Sequence, residues 1–186
     1  IPKILHYTWF GGGEISKRAK QAFKSWKKHL PDFEFMLWNE ENSEFKENAY
    51  AKKAYELKRY MYVSDYVRLK KLYEYGGFYL DVDTIVKKSI VPLMDCEGFI
   101  GFGADNDEVT ANCFAVEKRH PFIKEMLERY KDLEFVNKNG EINTVSINMR
   151  MRDLLREKGL NSKGEYQELF GLRIYPMTYF SPKSMV

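Results

Sequence analysis

The stretch Ser64-Asp-Tyr-Val-Arg-Leu-Lys-Lys-Leu-Tyr-Glu-Tyr-Gly-Gly-Phe-Tyr-Leu-Asp-Val-Asp-Thr84 decides how this chain folds. Its first half has helical spacing: at 100° per residue, Leu57, Met61, Ser64, Asp65, Arg68 and Leu72 share one face. Gly76-Gly77 stops the helix. Phe78 to Val82 is then a short apolar run, fit for a buried strand. Asp81 and Asp83 follow at a spacing of two. Two carboxylates at the end of a buried strand are costly unless a cation compensates them. At strand period two both point the same way, so they can share one hard cation, Mg²⁺ or Mn²⁺, through oxygen ligands. A cation so held points to a phosphorylated ligand. The competing reading is a strand-end turn with capping aspartates.

The bare pattern carries little weight. With nine aspartates in 186 residues, about 0.4 D-x-D matches arise by chance. A second one, Asp105-Asn-Asp107, stands in a polar, glycine-flanked stretch where solvated acids need no function. The helix before Asp81 adds more. Asp65 and Arg68 lie on the stripe that carries apolar residues, where an ion pair bears a desolvation cost. A ligand using both groups would account for them: an Arg fork suits a diphosphate, and a carboxylate suits sugar hydroxyls. The blander reading is an i,i+3 surface pair. Near the N-terminus, Thr8-Trp9-Phe10-Gly11-Gly12 sets an aromatic at a strand end beside backbone that permits close approach. A core tryptophan before a turn is the alternative.

Working outward, Ile4 to Phe10 reads as a first strand and Phe33 to Trp38 as a second. Between them Ile15 to His29 reads as an amphipathic helix, with Lys17, Arg18, Lys20, Lys24, Lys27 and Lys28 opposite Ile15, Ala19, Ala22, Phe23 and Trp26. A solvated face is the ordinary reading of such a run, and a face against anionic lipid is the sharper one. Ala49 to Tyr75 is helical, Gly98 to Gly103 and Asn112 to Val116 are strands, and His120-Pro121 opens a helix to Tyr130. A last helix covers Met149 to Lys158, and Leu172 to Phe180 is β-like. Strands alternating with helices give an α/β class with a mostly parallel central sheet flanked by helices.

Length predicts one domain over residues 1–186. A net charge of +3 is too mild to argue for nucleic acid. Cys96 and Cys113 lack zinc-site spacing and read as reduced thiols of a cytoplasmic protein. No apolar run is long enough to span a membrane and no signal peptide is visible; a chain beginning at Ile1 leaves room for an upstream anchor. No dinucleotide or P-loop pattern and no hydrolase signature appears.

Ile1-Pro-Lys-Ile-Leu-His-Tyr-Thr-Trp-Phe-Gly-Gly12, Ser64-Asp-x-x-Arg68, Tyr75-Gly-Gly-Phe-Tyr-Leu-Asp-Val-Asp83 and His120-Pro-Phe122 together resemble the DXD-containing sugar transferases of glycosyltransferase family 32. That family includes bacterial capsular-polysaccharide enzymes and the yeast initiating α-1,6-mannosyltransferase. The central block is also similar to the catalytic domain of the large clostridial glucosylating toxins. The resemblance implies a GT-A fold, a divalent cation, a UDP- or GDP-sugar donor and a retaining transfer of a hexose to a saccharide or lipid-linked acceptor. It implies that Trp9 stacks on the nucleobase, with Thr8, Gly11 and Gly12 lining the nucleotide pocket. Asp65 and Arg68 would hold the sugar and ribose–phosphate region, and Tyr79 would touch the donor. Asp81 and Asp83 would engage the metal and diphosphate, so Asp65, Arg68, Asp81 and Asp83 form the catalytic set. Trp38-Asn39 matches a strand end of relatives and receives a lesser donor-binding role. Relatives usually continue past the position of Val186, so a C-terminally incomplete domain is expected. Surface polysaccharide synthesis at the inner face of the membrane, with peripheral association, fits this resemblance. Two rival readings are a nucleotide-sugar-binding protein without transfer and a purely structural or interaction domain.

Overall fold

Gly76 and Gly77 adopt φ of 68° and 118°, a backbone region that side chains disfavour. A Cβ on Gly77 would come within 2.6 Å of the Ile4 carbonyl oxygen. The pair therefore ends one helix and lets the next strand start hard against its neighbour. The computed structural model describes residues 1–103 and 108–180. The second D-x-D, Asp105 and Asp107, lies outside the described residues.

Seven strands form one sheet: β1 (Ile4–Thr8), β2 (Glu34–Trp38), β3 (Gly77–Leu80), β4 (Gly98–Phe102), β5 (Val109–Val116), β6 (Gln167–Leu169) and β7 (Leu172–Tyr175). Five α-helices accompany them: α1 (Lys17–His29), α2 (Ala49–Glu56), α3 (Tyr60–Tyr75), α4 (Pro121–Lys131) and α5 (Ile147–Glu157). The spatial order is β2-β1-β3-β5-β4-β7-β6. The α/β class holds, but the sheet is mixed rather than mostly parallel. β2-β1-β3 and β4-β7 are parallel, while β5 runs antiparallel to both β3 and β4, and β6 to β7. The reason is local: β6 and β7 are joined by the tight turn Phe170-Gly171, with both residues at positive φ, a geometry suited to hairpins. β5 likewise returns along the edge of β4.

Alternation along β3 divides the core into two layers. Tyr79 faces the cluster built by α2, α3, α4 and α5, with Val67, Leu72, Phe114, Phe122 and Leu154. Phe78 and Leu80 face the other cluster, where Ala22 and Trp26 of α1 cover Leu5, Phe99 and Ala115. α1 follows its sequence pattern, capped by Ser16, whose Oγ accepts from the Ala19 N–H at 3.1 Å. The α3 face differs from expectation at its start. Met61 is exposed and Leu57 lies outside the helix, because the first turn buries Tyr62 and Val63 instead, while Asp65, Arg68 and Leu72 are buried. β6 was not apparent from sequence, and β5 begins three residues before the expected Asn112. Among the described residues no helix is long and apolar enough to cross a membrane. Both cysteines are free thiols, and burial raises the pKa of each.

Candidate active site

The parallel strands place their carboxyl ends along one edge, where ligands of open α/β sheets bind. Thr8 pairs in register with Trp38, and β3 delivers Asp81 beside the start of β5. The Asp81 N–H donates to the Asn112 carbonyl at 2.9 Å, and the Thr84 N–H to the Asp81 carbonyl at 2.9 Å. The strand thus ends at Leu80, and Asp81–Thr84 is a hydrogen-bonded turn. Strand period two stops there. The two carboxylates are consequently met from opposite layers: Asp81 by Arg68 of α3 and Asp83 by Arg18 of α1. The strand geometry from which a common direction was expected therefore ends before Asp83, and the backbone follows the turn reading.

Arg68 is the buried centre of the site, 4% exposed. Its Nη2 lies 3.1 Å from Asp65 Oδ1 and 3.4 Å from Asp81 Oδ1. Its Nη1 donates to the Ala111 carbonyl at 2.8 Å and its Nε to the Ser64 carbonyl at 3.3 Å. Its guanidinium lies over the Tyr79 ring, 4.3 Å from the centroid. Burial works against its charge, but the surrounding oxygens of Tyr79, Asp81 and Asp65 more than offset that, so its pKa is raised. Burial pushes the Asp65 carboxyl up to about 6; Arg68 and the Ile147 N–H oppose the rise, while Asp81 adds to it. Tyr79 hydroxyl donates to Asp81 Oδ1 at 3.1 Å, and Thr8 Oγ1 lies 3.1 Å from the same hydroxyl. Thr8 Oγ1 also reaches Ser64 Oγ at 3.0 Å. Burial raises the Tyr79 pKa, which keeps that donor protonated.

Thr8, Asp65, Arg68, Tyr79 and Asp81 are thus joined in one network. Asp83 sits at its open side, half exposed, with Arg18 Nε 3.5 Å from Oδ2. The glycine segment flanks it. Trp9 is half-buried, and its indole N–H donates to the Gly13 carbonyl at 2.9 Å. Gly11 has φ 89°, a Cβ there would overlap the Tyr60 ring, and its N–H donates to Glu40 at 2.6 Å. A Cβ on Gly12 would meet nothing within 4 Å.

Trp38 is not brought into this network. Its indole N–H donates to His6 Nδ1 at 3.0 Å, and His6 Nε2 reaches the Gly76 carbonyl at 2.8 Å. Lys71 lies over its ring at 4.5 Å. Trp38 is a buried strut between β2 and α3. Asn39 spends its side chain on the Glu41 N–H at 2.9 Å, within a turn. Sequence reasoning missed Ala111, Ile147, Asn148, Arg18 and Tyr60. Asn148 Oδ1 accepts from the Ala111 N–H at 2.9 Å, tying α5 to the strand that holds Arg68. The Ser146-x-x-Met149 helix start is a readable cap; main-chain contacts of Ala111 and Ile147 leave no mark in a sequence.

Two carboxylates in one turn supply only oxygen ligands, which suits Mg²⁺ or Mn²⁺ completed by water and phosphate. Arg68 and Tyr79 occupy Asp81 Oδ1. Arg18, itself largely exposed, stands as a positive charge against Asp83. The residues fit a divalent cation. Among the described residues no group of three or more His, Cys, Asp or Glu side chains gathers as a metal cluster.

The chain is 31% identical over 139 residues to inositol phosphoceramide mannosyltransferase 3 of Schizosaccharomyces pombe, covering 73% of this chain and 38% of the relative. It is 28% identical over 139 residues to the mannosyl phosphorylinositol ceramide synthase SUR1 of Saccharomyces cerevisiae, covering 70% and 35%. The chain therefore spans well under half the length of these curated relatives. The solved structure of the PaToxG glycosyltransferase superposes with a TM-score of 0.57 at 22% identity, over 69% of this chain and 59% of that one, and the fold is that of GT-A glycosyltransferases. The family described as "Glycosyltransferase sugar-binding region containing DXD motif" matches residues 16–100. That match holds α1, α3, β3 and both aspartates of the turn, so the chain is similar to the DXD-containing sugar transferases across the residues that build the site.

Proposed function

We propose that residues 1–186 belong to a single GT-A catalytic domain of a metal-dependent, retaining hexosyltransferase. The donor is a nucleoside diphosphate sugar, UDP- or GDP-linked, and the acceptor is a saccharide or lipid-linked hydroxyl. The observation that carries the reading is the Arg68 network: a buried guanidinium holds Asp81 by one oxygen at the ligand-binding edge of the sheet, beside Asp83 and the Trp9–Gly12 segment.

A Mn²⁺ or Mg²⁺ ion held by Asp81 and Asp83 would supply Lewis-acid stabilisation of charge on the departing diphosphate. The chain's own residues do the rest. Arg68 fixes Asp81 and contributes positive potential from a site shielded from water, where electrostatic stabilisation is strongest. Trp9 gives a face for the base, and Gly11-Gly12 let the nucleotide approach the backbone. Asp65 is tied to Arg68 and to the Ile147 N–H. That placement suits orienting the donor sugar rather than attacking it, which supports a same-face substitution with retention. The names of the yeast relatives favour mannose as the sugar and a lipid-linked acceptor. A lipid-linked acceptor puts the reaction at a membrane surface, with the cytoplasmic face and peripheral association as our placement; capsular polysaccharide synthesis is the setting for a saccharide acceptor.

The test is a thermal-shift screen of UDP, GDP and their hexose conjugates with and without Mn²⁺, followed by hydrolysis and transfer assays on the hits. A ligand at a hundred times its dissociation constant stabilises the fold by about 2.7 kcal/mol. We expect stabilisation by one nucleotide only with metal, and slow donor hydrolysis. Absence of any shift overturns the reading, and binding without hydrolysis or transfer assigns a sugar-nucleotide-binding role instead.

A further inference from the structure

We infer that α1 and the segment following the Asp81–Thr84 turn form one docking face for an anionic phospholipid bilayer. Three observations carry this. First, charge is concentrated there. α1 holds six basic and no acidic residues. The segment Ile85–Met94 adds Lys87 and Lys88, again with no acid. In a chain of net charge +3, eight positive charges in these two segments leave the remainder net acidic. Second, the two segments are welded together. The Trp26 indole donates to the Thr84 carbonyl at 2.8 Å, and the Val86 N–H donates to Ser25 Oγ at 3.0 Å. Lys87 and Lys88 are therefore held beside the helix, and Lys17, Lys20, Lys24, Lys27 and Lys28 share the helix face opposite buried Ala19, Ala22 and Trp26. Third, the same stretches of chain carry exposed apolar side chains. Ile15, just before the helix, is 41% exposed, Ile85 50% and Val91 42%. Exposed basic and aliphatic side chains in two joined segments are the composition that interfacial membrane binding uses.

A polyanion in solution would answer the charge but not the aliphatic side chains, and a bilayer of anionic lipid answers both. The placement also has a use. Arg18 of the same helix pairs with Asp83, so the bilayer would lie next to the turn that carries the two aspartates. The inference deepens the lipid-linked-acceptor reading, but binding to the bilayer needs neither donor nor metal, so the two fail separately.

The experiment is co-sedimentation with large unilamellar vesicles of phosphatidylcholine alone, or with about a third phosphatidylserine, with an oligonucleotide-binding assay beside it. We expect about tenfold stronger partition onto the anionic vesicles, weakened as salt shortens the Debye length. Lys20→Glu/Lys24→Glu/Lys27→Glu should abolish it, and Ile85→Ser/Val91→Ser should lower it severalfold. Circular dichroism confirms that each variant folds. Equal sedimentation with both vesicle types, unchanged binding by the lysine variant, or tight oligonucleotide binding without vesicle binding would overturn the proposal. Loss in the lysine variant alone would reduce it to a purely electrostatic contact and remove the aliphatic part.

Discussion

A single nitrogen, Nη2 of Arg68, reaches both Asp65 at 3.1 Å and Asp81 at 3.4 Å. One donor thus couples a carboxylate in the interior of α3 to one at the exposed strand end. Removing one partner of a buried ion pair costs about 3–5 kcal/mol, because the other charge is left uncompensated. Arg68→Ala should lose stability of that order in urea denaturation. Arg68→Lys keeps the charge but not the fork to Ala111 and Ser64, so it should retain more stability while losing donor affinity by titration.

Asp83→Asn and Asp81→Asn should separate two roles. Asp83 is half exposed and, among the described residues, its ion-pair partner is the exposed Arg18, so its change should alter stability by no more than about 0.5 kcal/mol. It should nevertheless abolish Mn²⁺-dependent stabilisation by nucleotide. Asp81 accepts charge-assisted hydrogen bonds inside the network, each worth about 1.5–3 kcal/mol. Asp81→Asn should therefore fail in metal-dependent binding and also melt earlier. Equal melting of the two variants would contradict this division.

Gly11 combines φ 89° with a Tyr60 ring where a side chain would go. Gly11→Ala should destabilise the fold by about 1–3 kcal/mol through strain at that position and weaken nucleotide binding. Adding Tyr60→Ala should recover part of the stability by removing the overlap, but not the part due to φ. Differential scanning calorimetry of the single and double variants distinguishes these contributions.

Acid should act on His6 and Asp65 in opposite senses. Burial lowers the His6 pKa to about 4, from an unfolded value near 6.5. Its contribution is fully present above pH 6.5 and is lost as pH falls toward 4. The Asp65 pKa is raised to about 6 from 3.8. Its contribution is present below pH 3.8 and is lost as pH rises through 6. One proton changes the slope by at most about 1.4 kcal/mol per pH unit. His6→Gln should thus make stability less sensitive to acid between pH 6.5 and 4, and Asp65→Asn should make it more sensitive, read from urea midpoints across that range.

The helix–glycine–strand run from Ser64 to Leu80 was legible because apolar period and glycine punctuation agree there. The placement of Asp65 and Arg68 together on a core stripe was legible as well, since an ion pair there needs an account, but the reach of Arg68 to Asp81 was not. Trp38 shows where such reading stops. Trp9 and Trp38 both follow strand residues, and only register reveals that the Trp38 indole turns inward onto His6 and Lys71. The pairing of β5 with β3 and the approach of Ile147 to Asp65 depend on contacts more than thirty residues apart, made through main-chain atoms common to nearly every residue type.

The order of strands in space has a consequence for how the protein is made. β3, which presents Asp81, waits for β5 as its second neighbour, and β5 is followed in the sheet by β4 and β7. As the chain emerges from the ribosome, everything through residue 83 is available while β3 still has a bare edge. Arg68 is then without the Ala111 carbonyl, and Asp65 is without the Ile147 N–H. The motif is thus synthesised long before its surroundings, and the nascent chain passes through a stage with two ionised groups and one unpaired strand edge unprotected. Such a stage is prone to aggregation and is where chaperones act. Late residues around Asn148 close it, so truncations that spare the aspartates should still leave an insoluble polypeptide.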